Sequence, residues 1–328
     1  FVVVLKWGVL GALLGQLVGS GIGALPAHWI VVRRFRGASG PLAVWEHVRS
    51  ALAFGLPVLP HILAMWVLNL SGRMVLLNLH SKEAAGVYSL AFTLGMLVHL
   101  GGISLISGFG PLYYARADEP AFRAELPRLL GRYVTVHTWT ALCVACLSQD
   151  VLYLFIRRNA DYHAAGPLVV WIAFGYWWFV TFYQLGFTVV EAKRQTRWSA
   201  ALSVPAALVN LGLNHWMIPR YGALAASIST LVAFCLMAIL TLILARRLAD
   251  LPFPYVRIGI GVALACGFFL LVGRWSLPQA PMVSLLTKFG LLCVFGLLLA
   301  GTQGLTPQAL VRWLRSIAPG GGRRAETA

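Results

Sequence analysis

The sequence predicts an all-α polytopic membrane protein. Of its 328 residues, 59% are hydrophobic and only 11% are charged, a balance too apolar for an ordinary soluble protein. The apolar residues form runs of about 20 residues or more, the length that a helix needs to cross a hydrocarbon core of about 30 Å. Short polar and basic segments separate the runs. The predicted transmembrane helices, about nine in number, are 2–32, 51–79, 86–112, 133–156, 165–190, 198–218, 223–245, 256–273 and 283–302.

The first run, 2–32, contains the small-residue stretch GQLVGSGIG, which favours close helix packing. A basic loop follows it, and Lys and Arg are concentrated in every second loop after that. Cytoplasmic loops carry such an excess, so the side that holds 33–50, 113–132 and 191–197 is predicted to be cytoplasmic. These scattered loops also account for much of the net charge of +16, and we expect no nucleic-acid partner.

The second run, 51–79, combines a membrane span with a broken backbone. Gly55, Pro57 and Pro60 lie in its first third. Each proline removes a backbone N–H donor that lipid cannot replace with water. We therefore expect this backbone to be buried against protein or to face a wet cavity.

Asn69 and Arg73 lie four residues apart in the same run, so they share a helix face, and no acid stands beside them. An ionisable group at membrane depth is costly and is often functional, which favours a cavity residue. The alternative is that Arg73 extends toward the outer interface, since it lies in the final third of the run.

Other runs also contain cationic or neutral polar residues at membrane depth. Arginine fits phosphate oxygens, amides fit hydroxyl groups, and aromatic faces such as Trp177 and Tyr183 can stack on sugar rings. The histidines and asparagines have a structural alternative as helix–helix hydrogen-bond partners, and the aromatic cluster 176–179 has one in packing or lipid contact. The polar set comprises Lys6, His61, Asn69, Arg73, His99, His137, Gln184, Asn210, Asn214, His215 and Lys288.

The most charged stretch is 113–132, where Asp118 and Pro120 predict the start of a short surface helix within a loop. The tail from Thr306 has basic and apolar residues in alternation and is predicted to form an interfacial helix. The glycine-rich basic residues after Pro319 are predicted to be disordered.

No catalytic constellation is present in the pattern. Asp150, Asp161 and Glu191 lie at the ends of runs, and no run interior pairs a carboxylate with a histidine for acid–base chemistry. The five cysteines all lie within apolar runs, which disfavours metal or redox chemistry. We therefore expect neither enzymatic activity nor a cofactor or metal.

Three segments resemble one family of membrane proteins in their order and spacing. They are GLPVLPHILAMWVLNLSGRMVLLNLHSKEAAGVYSLAFTLGML at 55–97, DVLYLFIRRNADYHAAGPLVVWIAFGYWWFVTFYQLGF at 150–187, and PAALVNLGLNHWMIPRYGALAASISTLVAF at 205–234. The chain is similar here to the polysaccharide-biosynthesis flippases of the MOP superfamily, which handle O-antigen and exopolysaccharide units. The resemblance covers about residues 40–245.

The resemblance implies a domain plan. Residues 1–32 would be the last helix of a first lobe, 33–50 a cytoplasmic linker, 51–245 a six-helix second lobe, 246–303 a C-terminal helix pair, and 304–328 the interfacial helix and basic tail. Five further helices would precede the sequence, and without them the chain should not form a closed two-lobe cavity.

The resemblance also implies a function, the transfer of polyprenyl-pyrophosphate-linked oligosaccharide from the inner to the outer leaflet of a bacterial inner membrane. Pro57 and Pro60 would let their helix bend as the lobes rock. Membrane lipids and polysaccharide polymerase and ligase proteins would be its partners. The substrate-binding residues would be Arg73, Asn69, His61, Gln184 and Asn210.

One departure from the family pattern affects the coupling ion. Gly72 stands where members often have aspartate, so neither proton nor sodium coupling follows from the sequence. Two other functions remain open. One is a MATE-type exporter, although cation-exporting members would be expected to place acids in the cavity. The other is a non-transporting membrane scaffold of a polysaccharide assembly complex.

Overall fold

The chain is helical throughout the part that its computed structural model describes, which is residues 7–35, 45–46, 48–50, 52, 55–157, 159–249 and 252–302. Of these residues 91% are helical and none lies in a strand, which confirms the all-α class. Seven helical segments among them are long and apolar enough to cross a membrane, so this is a multi-pass membrane protein. The predicted count of nine is not confirmed. Lys6, most of the 33–50 linker and the tail 304–328 lie outside the described residues.

The chain divides into two compact units, Phe1–Leu56 and Pro57–Ala328. In the first unit, helix α1 spans Gly8–Phe35 and contains most of the first predicted run. Apolar side chains such as Leu17 and Ile22 are largely exposed on it. This helix is not among the seven candidate spans.

The second unit contains all seven candidate spans. A π-helical turn, Phe179–Gln184, joins α6 to α7, and a second one, Phe269–Gly273, extends α9. The helices are α2 (Leu59–Leu79), α3 (Lys82–Gly95), α4 (Leu97–Arg116), α5 (Pro120–Phe155), α6 (Ala165–Trp178), α7 (Leu185–Ala192), α8 (Ser199–Leu248), α9 (Tyr255–Phe268) and α10 (Pro281–Thr302).

Helix α2 begins later than the sequence predicted, at Leu59 rather than at residue 51. A 3₁₀ turn, Leu56–Val58, precedes it, and Pro60 is its second residue. Proline is tolerated in the first turn because the N–H groups there have no intrahelical partner. The expectation that Pro57 and Pro60 bend this helix is therefore wrong, since they lie at its start.

Helix α5 begins at Pro120, as the start signals predicted, but it runs unbroken for 36 residues to Phe155. The expected short surface helix at 113–132 is therefore not a separate element. The second half of 113–132 is the first part of the membrane-spanning helix α5. Pro127 lies inside this helix and does not end it.

Helix α8 is 50 residues long and contains both the sixth and the seventh predicted runs. It is interrupted at Gly222, whose φ of 53° and ψ of −134° are not helical. A Cβ atom at this position would lie 2.8 Å from Nε2 of His80, at the end of α2. Glycine is needed here both for the positive φ and for the close approach, and the break divides α8 into two helical segments.

The span Ala160–Ala192 is the most buried of the seven, and we call it the central span. In its most apolar 18-residue stretch 72% is buried, against 44% or less in the other six spans. It packs against α3, α5 and α8, while α2 packs along α8 and α10 packs along α5. The indole N–H of Trp139 on α5 donates to the Leu292 carbonyl of α10 over 2.8 Å. The central span therefore lies in the core of the second unit, packed against α3, α5 and α8.

Candidate functional site

The π-helical turn Phe179–Gln184 shapes the candidate site, because it interrupts the regular helix within the central span. Tyr176 and Tyr183, on either side of its start, are buried, and Gln184 is partly exposed. The rings of Phe179 and Tyr183 stack with centroids 4.9 Å apart. Such turns are rare in helices and occur often at functional sites.

Arg73 lies on α2, six residues before its end and therefore about 9 Å from it along the helix axis. Its guanidinium carbon is 5.0 Å from the centroid of the Phe92 ring, a cation–π contact. Its Nε is buried and has no hydrogen-bond partner among the described residues. The described ion pairs do not include Arg73 either. Arg73 is thus a cation at membrane depth with unused donors.

Asn69 connects α2 to the central span. The hydroxyl of Tyr176 donates to Oδ1 of Asn69 over 3.2 Å, and Nδ2 of Asn69 donates to the Met65 carbonyl over 2.6 Å. The Tyr176 ring also meets Phe92 edge-to-face, with centroids 5.8 Å apart. Asn69 and Arg73 therefore contact the same aromatic group, as their shared helix face predicted.

Gln184 and His99 lie on the other side of Tyr176. The His99 ring stacks on Tyr176 with centroids 5.3 Å apart and an interplanar angle of 17°. Nε2 of Gln184 is 3.3 Å from Nε2 of His99, and Oε1 of Gln184 is buried without a hydrogen-bond partner among the described residues. Gln184 thus offers an unused acceptor beside an aromatic face.

His61 lies near the start of α2 and contacts the end of the same aromatic group. Its Nε2 is 3.4 Å from the Tyr183 hydroxyl, and its ring stacks on Phe187 with centroids 6.2 Å apart. Its Nδ1 is buried without a hydrogen-bond partner among the described residues.

Together these side chains form a contiguous cluster that we call the polar strip. Each of its five polar members is partly exposed, whereas four of its five aromatic members are buried behind them. It contains four of the five predicted substrate-binding residues. The polar strip consists of His61, Asn69, Arg73, His99 and Gln184, with the aromatic residues Phe92, Tyr176, Phe179, Tyr183 and Phe187.

The fifth predicted residue, Asn210, is not in the polar strip. It is fully buried between α2 and the two segments of α8. Its Oδ1 accepts from the Ser71 hydroxyl over 2.7 Å and from Nδ2 of Asn214 over 3.0 Å, and its Nδ2 donates to the Ser229 hydroxyl over 3.4 Å. The Ser229 hydroxyl in turn donates to Oδ1 of Asn214. This network matches the helix–helix alternative that the sequence left open for both asparagines.

Lys288 does not belong to an anion-binding surface, although the sequence placed it in the cationic set. Its Nζ is 2.7 Å from Oδ2 of Asp150, and both side chains are fully buried. Asp150, expected at a run end, is therefore a buried partner on α5. His215 is exposed, and its Nδ1 lies 2.9 Å from the Leu211 carbonyl of its own helix.

Sequence reasoning did not assign His99, Tyr176 or Phe92 to the site. His99 carried a signal, since a histidine inside an apolar run needs a partner, but the pattern could not name Gln184, which is 85 positions away. The π-helical turn has no recognisable sequence signal. Tyr176 was expected to pack or to face lipid, and it is buried.

Comparison with known proteins adds no further information, because no family model, curated protein or solved structure matches this chain. The chemistry of the polar strip must therefore be argued from its own groups. The strip offers a guanidinium, an amide oxygen and an imidazole nitrogen with unused hydrogen-bonding capacity, all packed against largely buried aromatic rings. Such a surface suits a ligand that combines an anionic group with hydroxyl-bearing rings.

Proposed function

We propose that this chain is part of a flippase that moves polyprenyl-pyrophosphate-linked oligosaccharide across the bacterial inner membrane for cell-surface polysaccharide biosynthesis. The observation that carries the proposal is Arg73, a guanidinium at membrane depth with no carboxylate partner among the described residues. An unpaired intramembrane cation is costly to keep, so a ligand that supplies negative charge is its natural partner. Pyrophosphate meets that requirement, since arginine binds phosphate oxygens through paired hydrogen bonds.

The rest of the polar strip supports a glycan next to the phosphate. Gln184 and His61 are partly exposed and provide hydrogen-bonding groups for hydroxyls, and the buried rings of Tyr176 and Tyr183 pack behind the polar side chains. The strip extends along α2 from Arg73 to His61, which is twelve residues or about 18 Å along the helix axis. That length accommodates several sugar rings. In this proposal the strip forms one wall of the transport cavity.

A cation exporter of the MATE type is less well supported. Such a protein would be expected to place a carboxylate on the transport surface, and the polar strip contains none. The buried acid in the described part of the chain, Asp150, is already paired with Lys288 between α5 and α10, outside the polar strip. A scaffold without transport activity has no use for an unpaired Arg73. Substitution of Arg73 therefore distinguishes a flippase from a scaffold.

Complementation of a flippase-null bacterium tests the proposal. The complete protein is expressed as wild type, Arg73→Ala and Arg157→Ala at matched membrane abundance, and surface polysaccharide is quantified. Arg157 is exposed and bonds the Leu154 carbonyl, so it is a matched loss of positive charge outside the strip. We expect restoration by wild type and Arg157→Ala but not by Arg73→Ala. Equal restoration by all three would remove Arg73 from the site, and no restoration by wild type in several glycan backgrounds would favour the scaffold.

A further inference from the structure

Helix α8 folds back on itself at Gly222. Nδ2 of Asn210 donates to the Ser229 hydroxyl over 3.4 Å, although the two residues are 19 positions apart. In a straight helix 19 residues would span about 28 Å. The two segments of α8 therefore lie side by side in opposite directions, and the break at Gly222 forms their tip.

A cleft opens beside this tip, and we call it the tip cleft. It has a volume of about 330 Å³ and is lined by residues from both segments of α8. None of these residues belongs to the polar strip, so the tip cleft is separate from the site assigned to the transported ligand. Its lining includes Trp216, Arg220 and Tyr221 before the break and Leu224, Ala225 and Ile228 after it.

The end of the cleft nearest the tip is cationic and aromatic. Arg220 is exposed and forms no ion pair or hydrogen bond with any residue that the structure describes. Trp216 and Tyr221 are 64% and 61% exposed. Trp and Tyr are enriched at membrane–water interfaces, at the level of the lipid headgroups. The tip is therefore suited to that level, with Arg220 available for an anion.

The cleft becomes apolar with distance from the tip. Leu224 is 39% exposed, Ala225 is fully buried and Ile228 is partly exposed. Ile228 lies six residues after Gly222, which is about 9 Å along the helix axis. A cation and aromatic rings at one end and aliphatic side chains at the other match the two parts of a phospholipid, an anionic headgroup and a hydrocarbon chain.

Other occupants match only part of the cleft. A free phosphate or a soluble glycan would contact Arg220 and the aromatic rings but leave the apolar part uncovered. A helix of another protein is about 10 Å wide with its side chains, so it could cover the cleft but not lie within it. A single hydrocarbon chain is narrow enough to lie between Leu224 and Ile228.

We propose that the tip cleft binds one anionic phospholipid. Its phosphate pairs with the Arg220 guanidinium, which can donate two parallel hydrogen bonds to phosphate oxygens. One acyl chain lies along Leu224 and Ile228, and Trp216 and Tyr221 flank the headgroup. The loop at the tip is on the side opposite the basic loop 191–197, so the predicted orientation makes this a lipid of the outer leaflet. Binding requires no transport activity and is independent of the proposed function.

Native mass spectrometry of the purified, delipidated complete protein tests the site. Phosphatidylglycerol or phosphatidylcholine with the same acyl chains is added, and retained lipids are counted for wild type, Arg220→Ala and Arg274→Ala. Arg274 is an exposed cation between α9 and α10 and is the matched control. Because basic loops also attract anionic lipid, the difference between variants is the result.

We expect Arg220→Ala to retain one phosphatidylglycerol fewer than wild type, with about tenfold weaker binding of that lipid, the worth of a charge-assisted hydrogen bond. Arg274→Ala should match wild type, and phosphatidylcholine binding should be the same in all three proteins. Equal retention of phosphatidylglycerol by wild type and Arg220→Ala, or an equal loss in Arg274→Ala, would overturn the proposal.

Ile228→Trp tests the acyl chain separately, because it fills the apolar part of the cleft and leaves Arg220 in place. We expect it to lose the same single phosphatidylglycerol. Normal retention in Ile228→Trp would mean that phosphate contact alone suffices and would overturn the chain assignment. Normal retention together with a changed number of chains per particle would show that a second copy covers the cleft, which would overturn the lipid site.

Discussion

Arg73 and Lys288 are two cations at similar depth whose surroundings differ. Arg73 lies about 9 Å from the end of α2, and Lys288 lies about 10 Å from the start of α10. When the two segments of α8 on either side of Gly222 are counted as separate crossings, an alternating arrangement puts these two ends on the same side of the membrane. Lys288 is fully buried with Asp150 and three further oxygen atoms, whereas Arg73 is partly exposed, faces Phe92 and leaves its Nε unpaired.

The fold neutralises the charge of Lys288 with Asp150, whereas it leaves Arg73 without a counter-charge among the described residues. A buried ion pair links two helices, and removing one member leaves an uncompensated buried charge. A partly exposed cation over an aromatic ring is stabilised only weakly by the protein. We therefore expect substitutions at the first site to change folding and those at the second to change ligand binding.

The largest expected effect on stability is that of Asp150→Asn, which leaves the Lys288 ammonium buried without a counter-charge. We expect the free energy of unfolding to fall by about 3 to 5 kcal/mol. Denaturant titration in detergent, followed by Trp fluorescence, measures the loss. The double variant Asp150→Asn/Lys288→Met should recover most of it, and failure to recover would mean that the cost does not come from the unpaired charge.

The buried amide network gives the next largest effect. Asn214→Leu removes the donors to Ser71 and Asn210 and the acceptor for Ser229. We expect a loss of about 1 to 3 kcal/mol, because buried polar groups lose their partners. Asn69→Leu, at a partly exposed position, should cost less than about 1 kcal/mol in the same denaturant titration. A larger loss for Asn69→Leu than for Asn214→Leu would mean that Asn69, and not Asn214, stabilises the fold.

Close packing beside Arg73 predicts a smaller loss. In Gly72→Ala the added Cβ would lie 2.9 Å from the hydroxyl of Tyr88, which is fully buried and 3.1 Å from the Thr230 hydroxyl. We expect a cost of about 1 to 2 kcal/mol from overpacking. Gly212→Ala is the matched control, since a Cβ there meets nothing within 4 Å. Equal melting temperatures for both variants would show that Tyr88 moves freely.

The smallest expected effect on stability is that of Arg73→Ala. Only a cation–π contact with Phe92 is lost among the described interactions, so the cost should be about 0.5 to 1 kcal/mol. Arg73→Lys should cost about the same or less. A loss as large as that of Asp150→Asn would mean that Arg73 stabilises the fold, and the contrast between the two cations would disappear.

Much of the fold could be predicted from the sequence because lipid imposes a simple rule on it. Long apolar runs must be helical, since no water is present to satisfy the backbone. The pattern also indicated the start of α5 at Pro120 and a break between the sixth and seventh runs, where Gly222 lies. The pattern could not show that the prolines at 57 and 60 lie at the start of a helix, because an apolar run does not mark where its helix begins. It also could not show that the helix starting at Pro120 continues into the next span, because the charged residues of 113–132 resemble a loop.

The candidate site was predictable only within one helix. The four-residue spacing of Asn69 and Arg73 placed them on one face, and the structure brings both to the same aromatic group. Contacts between helices left no such signal, because the partners are far apart in the chain. Asp150 meets Lys288 across 138 positions, and Tyr176 meets Asn69 across 107. Packing decided which cation was neutralised and which was left unpaired.

The central claim is that Arg73 binds the anionic part of the ligand. The most direct measurement is the affinity of the purified complete protein for two ligands, a polyprenyl-pyrophosphate-linked oligosaccharide and the same glycan on an uncharged polyprenyl chain. We expect Arg73→Ala to weaken binding of the first by at least about tenfold, the worth of a charge-assisted hydrogen bond, and to leave binding of the second unchanged. Equal weakening for both ligands, or for neither, would contradict the account.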